Sequence, residues 1–295
     1  MLYTLPQSGS APVVAFIEQA QGQLDINVYY ISDRQVISAI RGTVARGVPV
    51  FIMVDGQPFG MSSGRVGREL KELEATGAHV EIAPPRFEGA YVFDHAKYAV
   101  TSGAVLIGTA NWSWTSFHTD RDYIDVTSDA ADVGSLKKVF WADWLNQPIS
   151  SATWLSVGNL VVSPGSQAQI LALVTQAGPV EIEAEELGDE PQIMAALAHK
   201  GAQVELLLPA SQSASDQQRA EELMKSGVQV RFMTVRPLYM HAKMIVGQGL
   251  AFIGSENFTG TSLQQNREVG LIFKDRPTMY MLHQQFIADW QAAQP

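Results

Sequence analysis

Short apolar runs alternate along the chain with segments whose apolar residues recur at helical spacing. Short apolar or alternating runs predict strands, and an amphipathic period of about 3.6 residues predicts helices. In the first half, strands are predicted over residues 25–31, 48–54 and 79–82, and helices over residues 33–46 and 67–76. This alternation is typical of an α/β protein, in which helices flank a sheet.

The same rhythm returns in the second half of the chain. Strands are predicted there over residues 160–162, 180–184, 203–208 and 229–233, and helices over residues 192–200 and 216–226. Between the halves, turn-forming residues at 146–153 follow a predicted helix over residues 130–145 and indicate a linker. We therefore predict two tandem halves, residues 1–147 and 148–295, each a mixed β-sheet flanked by helices.

An ungapped repeat appears when the sequence is aligned with itself at an offset of 146 residues. The repeat places His95-Ala-Lys97 on His241-Ala-Lys243, Thr109 on Ser255, Asn111 on Asn257, Trp112 on Phe258, Arg121 on Arg267 and Asp122 on Glu268. Core packing explains repeated apolar residues, but it gives no reason to repeat histidine, lysine, asparagine and a carboxylate. Shared ancestry alone is the alternative explanation, and we favour a shared chemical task.

Two further strands are predicted at the histidine motifs, over residues 94–100 and 240–246. Residues two apart on a strand share a face, so the histidine and lysine of each motif should point together into a cleft. The next strand of each half leads into a glycine turn that presents Asn111 or Asn257. If a pseudo-twofold axis relates the halves, the two sets of side chains converge.

Two imidazoles, two ammonium groups and two amides suit a phosphodiester, whose anionic oxygens need donors and whose ester oxygens need attack and protonation. One histidine has to be neutral to attack phosphorus, and the other has to be protonated to supply the leaving oxygen, which predicts a bell-shaped pH dependence. We expect Asp122 and Glu268 each to orient a histidine. The alternative is that they pair with the neighbouring Arg121 and Arg267.

These motifs resemble those of the phospholipase D superfamily, whose signature is H-x-K-x4-D followed by a G-S-x-N turn. The matching residues are His95, Lys97, Gly108, Thr109 and Asn111 in motif one, and His241, Lys243, Gly254, Ser255 and Asn257 in motif two. The resemblance covers almost the whole chain and implies a phospholipase D-like fold. It also implies a phosphohistidine intermediate without metal or cofactor, hydrolysis or transfer to an alcohol, His95 as nucleophile, and His241 as general acid and then base.

The chain departs from the signature at its aspartate, which is replaced by Ser102 in motif one and Gln248 in motif two. In the family this aspartate looks structural, but its loss keeps open a catalytically weakened phosphate-binding module. Thr109 replaces the serine of the first turn and keeps its hydroxyl. We expect Thr109 and Ser255 to contact the substrate.

Aromatic residues accompany both motifs. We expect Phe93, Trp112 and Tyr239 to form an apolar rim that admits an acyl chain or stacks on a base. The alternative, which is the more common use of such residues, is packing at the interface between the halves.

Composition narrows the substrate class. Hydrophobic residues make up 46% and charged residues 17%, as in a compact protein with a substantial core. The net charge of -10 argues against extensive binding to duplex nucleic acid, because a protein that grips many phosphates normally has a basic face. A phospholipid is therefore the favoured phosphodiester, and a nuclease or small phosphodiesterase is the alternative.

The sequence leaves the cellular location open. No apolar stretch is long enough to predict a transmembrane helix, which leaves peripheral membrane contact as the membrane association to expect. The N-terminus lacks a signal-peptide pattern and enters a strand at once, so the protein is either cytoplasmic or, as we slightly favour, exported after removal of a leader. Because both motifs lie in one chain, a monomer suffices.

Overall fold

The computed structural model of the protein describes residues 1–149 and 159–294. The strands are β1 (Leu2–Leu5), β2 (Leu24–Val28), β3 (Val50–Val54), β4 (His79–Ile82), β5 (Lys97–Val100), β6 (Val105–Gly108), β7 (Asp120–Thr127), β8 (Leu160–Ser163), β9 (Val180–Ala184), β10 (Val204–Pro209), β11 (Gln229–Met233), β12 (Tyr239–Met240), β13 (Lys243–Val246), β14 (Ala251–Gly254) and β15 (Glu268–Phe273). The α-helices are α1 (Ala11–Glu18), α2 (Arg34–Ala45), α3 (Ser63–Glu74), α4 (Trp114–His118), α5 (Ala130–Trp144), α6 (Gln167–Val174), α7 (Pro191–Lys200), α8 (Ala214–Lys225), α9 (Gly260–Gln264) and α10 (Arg276–Ala292).

The two halves form sheets of the same topology. The first sheet has the order β1-β7-β6-β5-β2-β3-β4, and the second has β8-β15-β14-β13-β9-β10-β11. In each sheet the strands that carry the motifs run antiparallel to their neighbours, whereas β2-β3-β4 and β9-β10-β11 are parallel. The predicted α/β class and mixed sheets are thus confirmed, and the predicted elements of the alternating rhythm are present with ends shifted by a few residues.

The two sheets share a central hydrophobic core. Tyr98 and Ile107 of the first half and Met244 and Ile253 of the second lie in one buried cluster, together with residues of α5 and α10 such as Phe140. Two further clusters fill the outer faces, one between the first sheet and its helices and one between the second sheet and its helices. This layering follows from sheets that are apolar on both faces.

The motif histidines do not lie within regular strands, which corrects the predicted strands over residues 94–100 and 240–246. The strand of motif one begins at Lys97, and the segment of motif two is divided into β12 and β13 around His241. The physical reason is pairing with the opposite half. The backbone N–H of His95 donates to the Arg267 carbonyl at 2.8 Å, and β12 pairs with β7.

The segment between the halves is only partly described. The predicted boundary at residue 147 follows α5, and part of the predicted linker over residues 146–153 lies outside the described residues. Among the residues that are described, no helix combines the length and apolar character needed to cross a bilayer.

Candidate active site

A cavity of about 490 Å³ lies where the two halves meet, and residues of both motifs line it. His95 and Asn111 come from the first half, and His241 and Asn257 come from the second. The histidines lie just before β5 and β13, on segments that hydrogen-bond to the opposite half, and the asparagines follow the glycine turns at the ends of β6 and β14. The pseudo-twofold arrangement therefore brings the two imidazoles and both amides to one cavity.

Each histidine is held by a carboxylate of the opposite half. His95 Nδ1 lies 3.0 Å from Glu268 Oε2, and His241 Nδ1 lies 2.9 Å from Asp122 Oδ1. A carboxylate that accepts from Nδ1 fixes the tautomer and leaves Nε2 as the ring nitrogen for chemistry. The contacts are those expected of orienting carboxylates, although they cross between the halves.

The neighbouring arginines have other partners. Arg121 forms two hydrogen bonds with Asp289, and Arg267 forms two with Asp143. Both pairs are buried and both join the two halves. Each arginine thus anchors the strand that carries an orienting carboxylate. The alternative, in which Asp122 and Glu268 pair with these adjacent arginines, is not what the structure shows.

Additional hydrogen bonds hold the two orienting carboxylates, Asp122 and Glu268, in place. The Thr109 hydroxyl donates to Asp122. Ser262 Oγ and Asn266 Nδ2 donate to Glu268 Oε1 at 2.7 and 3.0 Å, which leaves Oε2 for His95. Fixed carboxylates hold the imidazoles in one orientation, as a preorganised site requires.

Both lysines lie beneath the cavity surface, and their side chains are fully buried. Lys97 Nζ donates to the His95 carbonyl at 2.6 Å and lies 5.1 Å from the Tyr29 ring centroid. Lys243 Nζ donates to the His241 carbonyl at 2.6 Å and to Glu185 Oε2 at 2.5 Å. Each lysine therefore braces the backbone of its own histidine, and its protonated form adds positive charge beneath the cavity.

The two imidazoles have different electrostatic surroundings. Burial, helped by Lys97, lowers the pKa of His95 despite the nearby carboxylate. Burial alone would also lower the pKa of His241, but the carboxylates of Asp122 and Glu185 outweigh it and raise that pKa. Burial lowers the pKa of Lys97 to about 7. Near neutral pH these shifts favour a neutral His95 and a protonated His241.

Three of the residues expected to contact the substrate do not line the cavity. Trp112 is buried in the hydrophobic core of the first half, in the same apolar cluster as Ile31 and Phe117. The Thr109 hydroxyl is engaged by Asp122, and Ser255 Oγ accepts from the Val269 N–H at 2.9 Å. Thr109 and Ser255 are fully buried, and their hydroxyls bond to the protein beneath the cavity surface.

The other two aromatic residues of the expected rim lie at the site. Phe93 lines the cavity and packs edge-on against Tyr29, with ring centroids 5.7 Å apart. Tyr239 is half-buried, and its hydroxyl donates to Glu185 Oε1 at 3.4 Å. Tyr30, Phe59 and Tyr91 line the same cavity, so its wall is largely aromatic on the side of the first half.

Glu185 is a functional candidate that the repeat does not reveal. It lines the cavity, bonds to Lys243 and lies 3.6 Å from His241 Nε2. The repeat at offset 146 could not find it, because Glu185 has no acidic counterpart in the first half. The only signal in the sequence is the acidic pair Glu185-Glu186 directly after a predicted strand.

The two positions that lack the signature aspartate lie in turns away from the cavity. Ser102 is in the exposed turn between β5 and β6, and Gln248 is in the turn between β13 and β14. Other side chains cap these turns: Thr101 Oγ1 accepts from the Ala104 N–H at 3.1 Å, and Gln176 Oε1 accepts from the Leu250 N–H at 3.2 Å. Loss of the aspartate therefore leaves the groups around the cavity in place.

The donor set around the cavity suits an anion. Across residues 1–149 and 159–294, no group of three or more histidine, cysteine, aspartate or glutamate side chains is arranged to hold a metal ion. The side-chain oxygens of Asn111 and Asn257 are buried without a hydrogen-bond partner in the described part of the chain. Each of these amides also carries an NH₂ group that can donate to a phosphate oxygen.

Comparison with known proteins defines the class. The sequence model of a family described as "Cardiolipin synthase, PLD-like domain" matches residues 13–144 and 188–290. This match extends over most of the chain, including both histidine motifs. The chain belongs to the phospholipase D-like family, and this membership supports phosphodiesterase activity.

Individual relatives are more distant. Mitochondrial cardiolipin hydrolase of Xenopus tropicalis is 27% identical over 143 residues, which are 48% of this chain and 64% of that protein. The chain therefore spans less than two thirds of the length of this curated relative.

Two solved structures share the fold over nearly the whole chain. Phosphatidylserine synthase of Haemophilus influenzae superposes with a TM-score of 0.71 at 13% identity, over 97% of this chain and 85% of that one. Polyphosphate kinase of Porphyromonas gingivalis superposes with a TM-score of 0.73 at 14% identity, over 98% of this chain and 50% of that one. At these identities the likeness shows the fold alone.

Proposed function

We propose that the protein is a metal-independent phosphodiesterase that hydrolyses phospholipid phosphodiesters, with transfer to an alcohol as a related outcome. One observation carries the proposal: two imidazoles from opposite halves line one cavity, and a carboxylate of the other half engages Nδ1 of each. This arrangement leaves two Nε2 atoms to act on one phosphorus, one as nucleophile and one as acid.

The proposed reaction has two steps. His95 Nε2 attacks phosphorus, the P–O bond to the leaving alcohol breaks, and His241 Nε2 gives its proton to that oxygen. In the second step His241 takes a proton from water or an acceptor alcohol, whose oxygen attacks phosphorus and breaks the P–N bond. The Asn111 and Asn257 amides donate to the non-bridging oxygens of the phosphate. The buried lysines stabilise the negative charge on those oxygens.

The surroundings of the cavity favour a lipid over a nucleic acid. Glu185, one of the residues that line it, carries a charged carboxylate that would repel the flanking phosphates of a polynucleotide. Phe59 and Tyr91 stand at the cavity with 74% and 69% of their surfaces exposed, which suits contact with apolar parts of a lipid. The Xenopus relative, by its name, acts on cardiolipin, which is also a phospholipid phosphodiester.

Parallel assays in a chelator would test the proposal. The substrates are phosphatidylcholine and cardiolipin dispersions, single-stranded DNA and a chromogenic phosphodiester. Lipid turnover without DNA cleavage is expected. DNA cleavage that falls steeply with salt would support a nuclease instead, and no turnover of any substrate would support a phosphate-binding module.

A further inference from the structure

The two halves differ in charge at one equivalent position beside the motif lysines. Val28, the last residue of β2, pairs with Lys97, and Ala184, the last residue of β9, pairs with Lys243. The next residue of each half, Tyr29 or Glu185, therefore occupies the same place in the pseudo-twofold arrangement. One half has a neutral ring at this place, and the other has a carboxylate.

The two residues contact their motifs in the same region. The Tyr29 ring lies 4.6 Å from the His95 ring, centroid to centroid, and faces the Lys97 ammonium. Glu185 bonds to the Lys243 ammonium and lies 3.6 Å from His241 Nε2. His241 therefore has a carboxylate near both ring nitrogens, whereas the described contacts of His95 include a carboxylate at Nδ1 alone.

We infer that Glu185 is a positioning residue that gives the site its direction: it holds a proton on His241 Nε2, so His241 acts as the acid and His95 as the nucleophile. The inference rests on the proposed function. A negative charge beside a ring nitrogen favours the protonated imidazole, and a neutral tyrosine beside the other ring leaves it free to attack.

Other charged and titratable groups around His241 do not remove this asymmetry. They are Asp122 and Asp120 on β7, Tyr239 on β12, Lys243 on β13, Glu186 beside Glu185 in the cavity wall, and His95 across the cavity. Asp122 has its own counterpart in Glu268, and Lys243 has its counterpart in Lys97. Burial would raise the pKa of Glu185, but His241 and Lys243 outweigh it and lower that pKa to about 2, so the carboxylate stays charged.

The pH dependence of kcat/KM tests this role, with the chromogenic phosphodiester as substrate. Glu185→Gln removes the charge, and Glu185→Asp keeps it. Relative to the wild type, we expect the glutamine variant to lose at least about threefold more activity between pH 6 and pH 8, because His241 releases its proton at lower pH. The aspartate variant should follow the wild-type profile.

An unchanged pH profile in the glutamine variant would overturn the inference. So would a uniform rise in kcat/KM at every pH, which would mean that Glu185 merely competes with phosphate for Lys243. Either result would leave the proposed function standing, whereas a wild-type protein without turnover would overturn both.

Trapping the intermediate provides a second test that needs no variant. The wild-type protein is quenched in alkaline denaturant during turnover, and the phosphorylated peptide is identified by mass spectrometry. We expect the phosphoryl group, which still bears the remaining ester of the substrate, on the peptide that contains His95. Its presence on the peptide that contains His241 would overturn the assigned direction while confirming a phosphohistidine intermediate.

Discussion

At the scale of single residues, the proposed mechanism gives each motif histidine its own task. We predict that His95→Asn and His241→Asn each lower kcat by at least about 100-fold, because one removes the nucleophile and the other the proton donor. The measurement is turnover of the chromogenic phosphodiester. His199→Asn, an exposed histidine at the end of α7, is the matched control and should keep wild-type activity. Retained activity in either motif variant would contradict the assignment.

The different surroundings of the two imidazoles predict the shape of the pH profile. The proposed mechanism requires a neutral His95, so kcat/KM should rise with pH through the pKa of His95, which burial lowers. It also requires a protonated His241, so kcat/KM falls through the pKa of His241, which Asp122 and Glu185 raise against the effect of burial. The rising limb of the bell-shaped profile should therefore lie below the ordinary histidine pKa of about 6.5, and the falling limb should lie above it. A profile with one limb only would contradict the paired roles.

Residues of the candidate site could be predicted from the sequence where both halves repeat them. His95, Asn111 and their counterparts could be predicted because both halves carry them at one offset. Glu185 could not, because it matches Tyr29 in space and the two halves have diverged there. The burial of Trp112 could not be predicted, because aromatic residues suit both a rim and a core and the sequence alone does not tell which face of the turn is buried.

At the scale of secondary structure elements, buried ion pairs fasten the strands that carry the orienting carboxylates. Arg121 on β7 pairs with Asp289 on α10, with side-chain exposures of 2% and 6%. We predict that Arg121→Met lowers the free energy of unfolding by about 3 kcal/mol, because it leaves a buried carboxylate without its partner. Urea denaturation measures this loss.

Two comparisons sharpen that test. The double variant Arg121→Met/Asp289→Leu removes both charges and should recover part of the lost stability. Arg219→Met breaks the more exposed pair with Asp216 on α8 and should cost at most about 1 kcal/mol. Equal losses in Arg121→Met and Arg219→Met would contradict a fastening role for the buried pair.

The alternating strands and helices could be predicted because their periodicity is local. The ends of the motif strands could not, since the chain at His95 and at His241 hydrogen-bonds to the opposite half. The order of the strands also depends on pairings between distant parts of the chain, such as β1 with β7. Local patterns contain no information about such partners.

At the scale of the whole molecule, one chain builds one site from two halves that share a central core. We predict that mixing equal amounts of the His95→Asn and His241→Asn proteins restores no activity, because each site is closed within a single chain. Activity of the mixture is compared with the mean of the separate variants. Substantial recovery would contradict the single-chain site and indicate exchange of halves between molecules.

The central claim is that two imidazoles from opposite halves act on one phosphorus atom. A crystal structure with orthovanadate, which adopts the five-coordinate geometry of phosphoryl transfer, tests it most directly. We predict vanadium bonded to His95 Nε2, with His241 Nε2 within hydrogen-bond distance of the apical oxygen opposite and the Asn111 and Asn257 amides on the equatorial oxygens. Vanadate bound elsewhere, or touching one of the two histidines alone, would contradict the claim.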